Sequence, residues 1–325
     1  MTGATGLVGY SIVTALRRRG RPVRALVRDP SRASELLGDV ELHAGDVTDR
    51  ASIDAALDGC EVVYHAAGLP EQWLADASGF DRINVGGTRS MIDAALAAGV
   101  ARFVYTSTID VFAGARGQSF DESRIDPSPK GTAYERSKQE ADRVVANAVT
   151  RGLPAVFLHP GGVYGPGPAR SRGTNHFFAD LRDRRIPGLV PGGIPVVFAP
   201  DVGEGHVLAE EKAAVGDRFI LVDRYYTLTE LARAVLTALE VSGVSQRRRP
   251  PRVLPAPLFR AVSWVGEALA RRSGRPPLMP AGQLHFLLSE ARPSSRRARE
   301  VLGWQPTPLG EGIAHTMRYL DQHGP

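Results

Sequence analysis

Tyr134-Glu135-Arg136-Ser137-Lys138 places a phenol and an ammonium four residues apart, so a helix brings both to one face. A nearby Lys⁺ lowers a phenol's pKa toward neutrality, which lets Tyr134 exchange a proton with an alcohol or a carbonyl. The plain alternative is a surface helix pair. Thr106-Ser107-Thr108 lies 26 residues before the tyrosine and ends a predicted strand. It offers a hydroxyl at the carboxyl edge of a parallel sheet, where ligands bind.

A second constellation opens the chain. Thr2-Gly3-Ala4-Thr5-Gly6-Leu7-Val8-Gly9 spaces glycines at i, i+3 and i+6, and a helical pattern follows directly. Such a turn lets backbone amides approach a pyrophosphate at a helix N-terminus, where the helix dipole favours an anion. The spacing alone also fits an ordinary turn. Its surroundings strengthen it, because Arg28 closes the next strand and Gly45-Asp46-Val47 follows the one after. There an adenine ring needs an acceptor and an apolar edge.

The elements that must position these groups alternate. Val23–Val27, Val40–His43, Val62–His65, Phe103–Thr106 and Ala155–Leu158 read as strands. Residues 10–19, 50–58, 81–98 and 133–150 carry helical periodicity, with Gly20, Gly59 and Gly99 as stops. Alternating strands and helices predict an α/β fold of the Rossmann type, a doubly wound parallel sheet. The texture changes after Gly165-Pro166-Gly167-Pro168, so the seam is placed there. Residues 1–166 are expected to form the dinucleotide-binding domain. Residues 167–325 form a smaller α/β substrate domain, with about 200–222 packing back onto the first. One strand is missing: the sheet needs a central first strand before the Gly-rich turn, yet only Met1 precedes Thr2. The expectation is a strand truncated at Met1 by a late start.

Composition narrows the function classes. Of 325 residues, 43% are hydrophobic and 23% charged, the make-up of a globular chain and not of a disordered one. No apolar run reaches the length of a spanning helix, and no signal-peptide pattern opens the chain. Cys60 is the lone cysteine, and no Cys/His cluster has metal-ligand spacing, so no metal is expected. The cytoplasm is the expected compartment. The net charge of +5 rests on 40 basic residues of which only Lys130, Lys138 and Lys212 are lysines. The runs Arg17–Arg19, Arg247–Arg249 and Arg296–Arg299 come without a recognition motif or interleaved aromatics, so nucleic acid is not expected as a partner.

Taken in order, these motifs resemble the extended short-chain dehydrogenase/reductase family over nearly the whole chain. TGATGLVG resembles its nucleotide turn, His65-Ala66-Ala67-Gly68 its fourth-strand motif and Asn84-Val85-Gly86-Gly87-Thr88 its helix motif. Thr108, Tyr134 and Lys138 match its Ser/Thr-Tyr-Lys triad. Pro160-Gly161-Gly162-Val163-Tyr164-Gly165-Pro166 matches the segment lining the nicotinamide, and Leu302-Gly303-Trp304-Gln305-Pro306 a C-terminal element. His159 stands where many relatives carry Arg.

The resemblance implies that Tyr134 is the general acid/base, that Lys138 lowers its pKa and holds the nicotinamide ribose, and that Thr108 hydrogen-bonds the substrate oxygen. Hydride would pass between nicotinamide C4 and a carbinol or carbonyl carbon. Cofactor-binding residues would be Gly3, Thr5, Gly6, Leu7, Val8, Gly9, Arg28, Arg32, Asp46, Val47, Ala66, Ala67, Thr106, Tyr134, Lys138, Pro160 and Val163. A ribose 2′-OH is usually held by an acid and a 2′-phosphate by cations. The strand ending at Val27 carries no acid and is followed by Arg28 and then Arg32, so NADP(H) is favoured and NAD(H) stands second.

Ala25-Leu26-Val27-Arg28-Asp29-Pro30 and Thr106-Ser107-Thr108 resemble the branch of 3β-hydroxysteroid dehydrogenases and dihydroflavonol-reductase-like enzymes. That branch implies a dehydrogenase or reductase acting on a small apolar alcohol or ketone, steroid-like, flavonoid-like or a long-chain 3-keto compound. Leu69, Trp73, Ile109 and Phe112 are the candidate substrate contacts. A nucleotide-sugar epimerase or dehydratase is the alternative. Dehydratases carry Asp-Glu after the catalytic Thr, whereas Ile109-Asp110 stands here, so that acid is read as absent. A non-catalytic NAD(P)-sensing protein is the third reading; such proteins typically lose the Tyr/Lys pair.

His65, His176, His206 and His285 read as structural. Residues 258–271 predict an amphipathic helix with Leu258, Val262, Val265 and Leu269 in one stripe and Arg260, Ser263, Glu267 and Arg271 opposite. The stripe is expected to pack on the core of the substrate domain. The other reading is a lid making peripheral membrane contact, with the arginines at 247–249 and 271–272 near anionic headgroups. A homodimer is left open.

Overall fold

The computed structural model describes residues 1–114, 116–168, 173–241, 243 and 249–324. The strands are β1 (Arg24–Val27), β2 (Glu41–Ala44), β3 (Val62–His65), β4 (Arg102–Thr106), β5 (Ser119–Phe120), β6 (Ala155–Pro160), β7 (Gly162–Tyr164), β8 (Gly193–Phe198), β9 (Arg218–Leu221), β10 (Arg224–Thr227) and β11 (Arg292–Pro293). The helices are α1 (Leu7–Arg18), α2 (Pro30–Leu37), α3 (Arg50–Leu57), α4 (Ser78–Phe80), α5 (Gly87–Ala98), α6 (Ala133–Val149), α7 (Thr174–Arg182), α8 (Ala199–Lys212), α9 (Leu228–Val241), α10 (Ala256–Ser273), α11 (Ala281–Leu288) and α12 (Leu309–His323). Asp81–Gly86, just before α5, is wound as a π-helix.

The main sheet is parallel. β1 pairs with β2, and β3-β4-β6-β9 run side by side. Thr2 joins the two halves by bridging Leu26 on β1 and His65 on β3. Strand residues alternate between two buried faces, the pattern a parallel sheet covered on both sides requires. Phe103, Tyr105 and Phe157 meet the core under α3, α5 and α6. Val104, Val156 and Leu158 meet the other core with Ile12, Leu16, Val202 and Trp304. The predicted strands and helices in this half lie within a few residues of those observed.

The central strand position holds only Met1 and Thr2. Leu26 N donates to the Met1 carbonyl at 2.9 Å, and Thr2 N donates to the Tyr64 carbonyl at 3.0 Å. The Met1 ammonium donates to the Arg24 carbonyl at 2.8 Å, and burial pulls it down to about 6.

Past the Gly-Pro stretch the chain divides its loyalty. α8 and β9 return to the parallel sheet, with α8 packed on α1. A Cβ on Gly203 of α8 would lie 2.3 Å from the Ser11 carbonyl oxygen, so the two helices touch backbone to backbone. The other elements build a second sheet, β10-β8-β7, over a separate core with α7, α9, α11 and α12.

One predicted element packs against expectation. α10 forms over the predicted stretch, but of its residues only Ser263 and Ala270 are buried. Leu258, Val262, Val265 and Leu269 are exposed, so the apolar stripe faces outward, while Phe259, Ser263 and Ala270 face the protein. On the inner side Glu267 accepts the Ala281 amide at 2.9 Å, at the start of α11. Arg247 and Arg248 lie outside the described residues.

Candidate active site

A capping box starts the catalytic helix. Thr132 Oγ1 accepts the Glu135 amide at 3.1 Å, and Glu135 Oε2 accepts the Thr132 amide at 2.9 Å. This fixes α6 at its first turn, where Tyr134 sits, with Lys138 one turn later. Lys138 Nζ donates to the Thr106 carbonyl at 3.0 Å, at the carboxyl end of β4. It also lies 5.4 Å from the Tyr105 ring centroid. Burial pulls Lys138 down to about 8, against the pull of the Asp142 and Asp110 carboxylates.

The phenol behaves differently from the sequence expectation. Burial and the charge of Asp110 push the Tyr134 hydroxyl above its ordinary range, and the Thr108 hydroxyl opposes them. The shift is upward because low-polarity surroundings penalise a phenolate and carboxylates stand close by, while Lys138 is engaged with a carbonyl.

Thr108 ends the loop after β4. Its Oγ1 donates to Asp110 Oδ2 at 3.0 Å and accepts the Asp110 amide at 3.3 Å. Burial, then Glu135, raises the Asp110 carboxyl to about 6, opposed by Thr108, Lys130 and Lys138. The Asp110 carboxyl thus stands beside the Thr108 hydroxyl, while Ile109 turns inward. Asp110 is named without a role in the sequence reading, although its position two residues after the hydroxyl is the available signal.

Buried polar groups hold this edge rigid. Asn84, in the π-helical stretch, accepts the Leu69 amide at 2.7 Å and donates to Ser137 Oγ at 2.9 Å. It thereby ties the loop after β3 to the catalytic helix. Ser107 Oγ donates to Asp142 Oδ2 at 2.6 Å, and Arg218 donates to Asp142 Oδ1 at 2.7 Å. His159 Nδ1 lies 3.1 Å from the Thr108 carbonyl and its Nε2 3.4 Å from Arg218. Burial holds His159 at about 3, so the neutral ring donates to Thr108 and faces the guanidinium with its lone pair. Arg218, on the neighbouring strand β9, brings a positive charge to this cluster. Thr106 Oγ1 pairs with His206 at 2.9 Å, and Thr2 Oγ1 with His65 at 2.8 Å.

The nucleotide side is a cradle of backbone. Gly3 has φ +73, and a Cβ there would lie 2.6 Å from the Ala66 carbonyl. A Cβ on Gly9 would lie 2.1 Å from the Gly3 carbonyl oxygen. Gly6 caps α1 with no side-chain bond and no acid in the first turn, leaving the first amides open beside Thr5, Leu7 and Val8. That donor set suits a pyrophosphate. Ala67 N donates to Thr2 Oγ1 at 3.2 Å, which brings Ala66 and Ala67 to the turn. At the far end Arg28 is 72% exposed, with its Nε 4.0 Å from Asp46 Oδ2. Val47 is buried, and Arg32 is exposed at the start of α2. Pro160 ends β6, and Val163 lies half-buried in β7.

The four substrate candidates separate. Leu69 and Trp73 lie half-buried in the loop after β3, Leu69 beside Gly79, and the ring of Phe80 meets Tyr134 edge-on at 6.1 Å. Ile109 and Phe112 are each 2% exposed and pack with Val111, Ile220 and Val222. The structure thus puts these two in a core behind the site and not at its mouth, because the turn after Thr108 directs their side chains inward.

The geometry is matched by comparison with known proteins. Residues 1–220 match the model of the NAD dependent epimerase/dehydratase family. The chain is 31% identical to sterol demethylase protein B of Methylococcus capsulatus, covering 100% of this chain and 98% of that one. It is 29% identical to a putative dihydroflavonol 4-reductase of Synechocystis, covering 100% and 94%. It is 28% identical to a 3 beta-hydroxysteroid dehydrogenase/Delta 5→4-isomerase of Mycobacterium tuberculosis, covering 94% and 85%. Among solved structures, gox2253 superposes with a TM-score of 0.82 at 31% identity, covering 99% and 97%. The chain belongs to the NAD dependent epimerase/dehydratase family and is an extended short-chain dehydrogenase/reductase.

Proposed function

We propose that this protein is an NADP(H)-preferring oxidoreductase that interconverts a secondary alcohol and a ketone on an apolar, sterol-like substrate. The observation that carries the reading is the meeting of Tyr134, Thr108 and Lys138 at the carboxyl edge of the sheet, beside an open helix N-terminus. The names of the sterol demethylase and 3β-hydroxysteroid dehydrogenase relatives support the substrate class.

The Gly3–Gly9 turn and the first amides of α1 would hold the pyrophosphate, and Lys138 the nicotinamide ribose. When bound, the nicotinamide supplies or takes up a hydride. Tyr134 gives its phenolic proton to the carbonyl oxygen in reduction and recovers one from the alcohol in oxidation. Thr108 positions that oxygen, and His159 fixes Thr108 through its carbonyl. The half-buried Leu69 and Trp73 offer apolar surface. Arg28, with no acid at the end of β1, supports the choice of a 2′-phosphate.

A panel of ketosteroids, long-chain 3-keto acids and nucleotide sugars, each followed by NADPH or NADH consumption, tests the reading. Turnover of a ketosteroid with NADPH is expected. Turnover of nucleotide sugars alone would replace it by the epimerase/dehydratase reading.

A further inference from the structure

An amphipathic helix on a globular protein ordinarily turns its apolar stripe inward. α10 reverses this. Ser263 and Ala270 face the protein, whereas Trp264 is 72% exposed, Leu269 61% and nearby Leu278 76%. Leu258, Val262 and Val265 complete the outward face. So contiguous an apolar surface marks a binding face.

The charge around it is of one sign. Between positions 249 and 275 stand Arg249, Arg252, Arg260, Arg271, Arg272 and Arg275 against the single acid Glu267. Glu267 accepts the Ala281 amide and offsets one of the six, which leaves the segment strongly basic. Arg252, Arg260, Arg271, Arg272 and Arg275 are all exposed.

We infer that α10, with Leu278, docks this protein onto the surface of an anionic lipid bilayer. Leucine, valine and tryptophan enter the acyl boundary while the arginines meet headgroup phosphates. A second copy fits less well, since a two-fold contact would set the same arginines against each other. No helix among the described residues is long and apolar enough to cross the membrane, so the contact lies in the interfacial plane. The placement gives it a use. α10 packs on α11, and Gly282 of α11 lies against Gln72 and against Thr132, the cap of the catalytic helix. The docking face is thus one helix away from the mouth of the site. The docking itself does not rest on the proposed substrate.

The test is co-sedimentation of the full chain with phosphatidylcholine vesicles, with and without phosphatidylglycerol. The wild type is expected to pellet with the anionic vesicles at low salt, and several-fold less at high salt. Its tryptophan emission should shift to the blue on binding, and Trp264→Phe should remove the shift. Trp264→Glu/Leu269→Glu changes only exposed side chains and should weaken vesicle binding at least tenfold. Reduction of a water-soluble ketone should be unchanged. The inference is overturned if the wild type stays in the supernatant at low salt, or if the double variant pellets equally well. It is also overturned if the double variant turns a dimer into a monomer while neither form binds vesicles. Sedimentation reads no turnover, so its failure leaves the proposed function standing.

Discussion

Thr108 Oγ1 donates to Asp110 Oδ2 at 3.0 Å, so while Asp110 is ionised the threonine oxygen can only accept from a substrate or from Tyr134. Protonating Asp110 releases the threonine proton for a ketone oxygen. Asp110 is raised to about 6, chiefly by burial, so ketone reduction should show an inflection near that pH. Asp110→Asn should remove the inflection. It should also move the pH profile of alcohol oxidation to lower pH, because a carboxylate that opposes the Tyr134 phenolate is gone. The check is kcat/KM against pH in both directions. Unmoved profiles would assign Asp110 to loop structure alone.

Tyr134→Phe removes only the proton-carrying hydroxyl. It should lower kcat by about 10²–10⁴-fold and leave cofactor affinity within about threefold of wild type. Lys138→Ala should lose both, measured by cofactor fluorescence titration beside turnover. Retention of more than about a tenth of the rate by the phenylalanine variant would remove Tyr134 from proton transfer.

Arg28 is exposed and only loosely held, with Asp46 4.0 Å away. Arg28→Asp exchanges a phosphate partner for a ribose-hydroxyl acceptor and should turn preference toward NAD(H). The quantity to compare is the ratio of kcat/KM values for the two cofactors. A constant ratio would make Arg28 a solvated surface residue.

Asp142 is 3% exposed on its side chain and depends on Arg218 for its countercharge. Arg218→Met should cost about 3–5 kcal/mol, since it strands a buried carboxylate. Arg218→Met/Asp142→Leu should recover much of that loss in urea unfolding. An unrecovered double variant would place the cost in the Arg218 stacking on Phe157, 4.0 Å away.

His65, His159 and His206 are held at about 3, 3 and 4, each mainly by burial. The unfolded chain binds protons that the fold excludes, so their contribution is present above about 6.5 and is lost as pH falls toward 4. Asp110, shifted upward, acts oppositely over its own interval and offsets one of the three. Urea midpoints should fall on acidification below about 6.5, beyond the falls that Lys138 and the Met1 ammonium already impose at higher pH. His206→Gln should reduce that slope.

The sequence by itself determined the local and periodic features. Alternating strands and helices specified the parallel sheet, and an i, i+4 spacing brought Tyr134 and Lys138 to one helix face, because both follow from backbone geometry alone. The Gly-rich turn was legible for the same reason: at Gly3 and Gly9 the chain approaches itself too closely for a Cβ. What only the tertiary structure decided depends on groups distant in sequence. Arg218 reaches Asp142 across 76 positions and sets a positive charge beside the neutral His159. The upward shift of Tyr134 reflects burial and Asp110, neither of which the Tyr-Lys spacing carries. The outward stripe of α10 came with a packing that seats Phe259 on the core and leaves Leu258, Val262, Val265 and Leu269 outside. Hydrophobic periodicity identifies an apolar face, but only packing decides whether protein covers it.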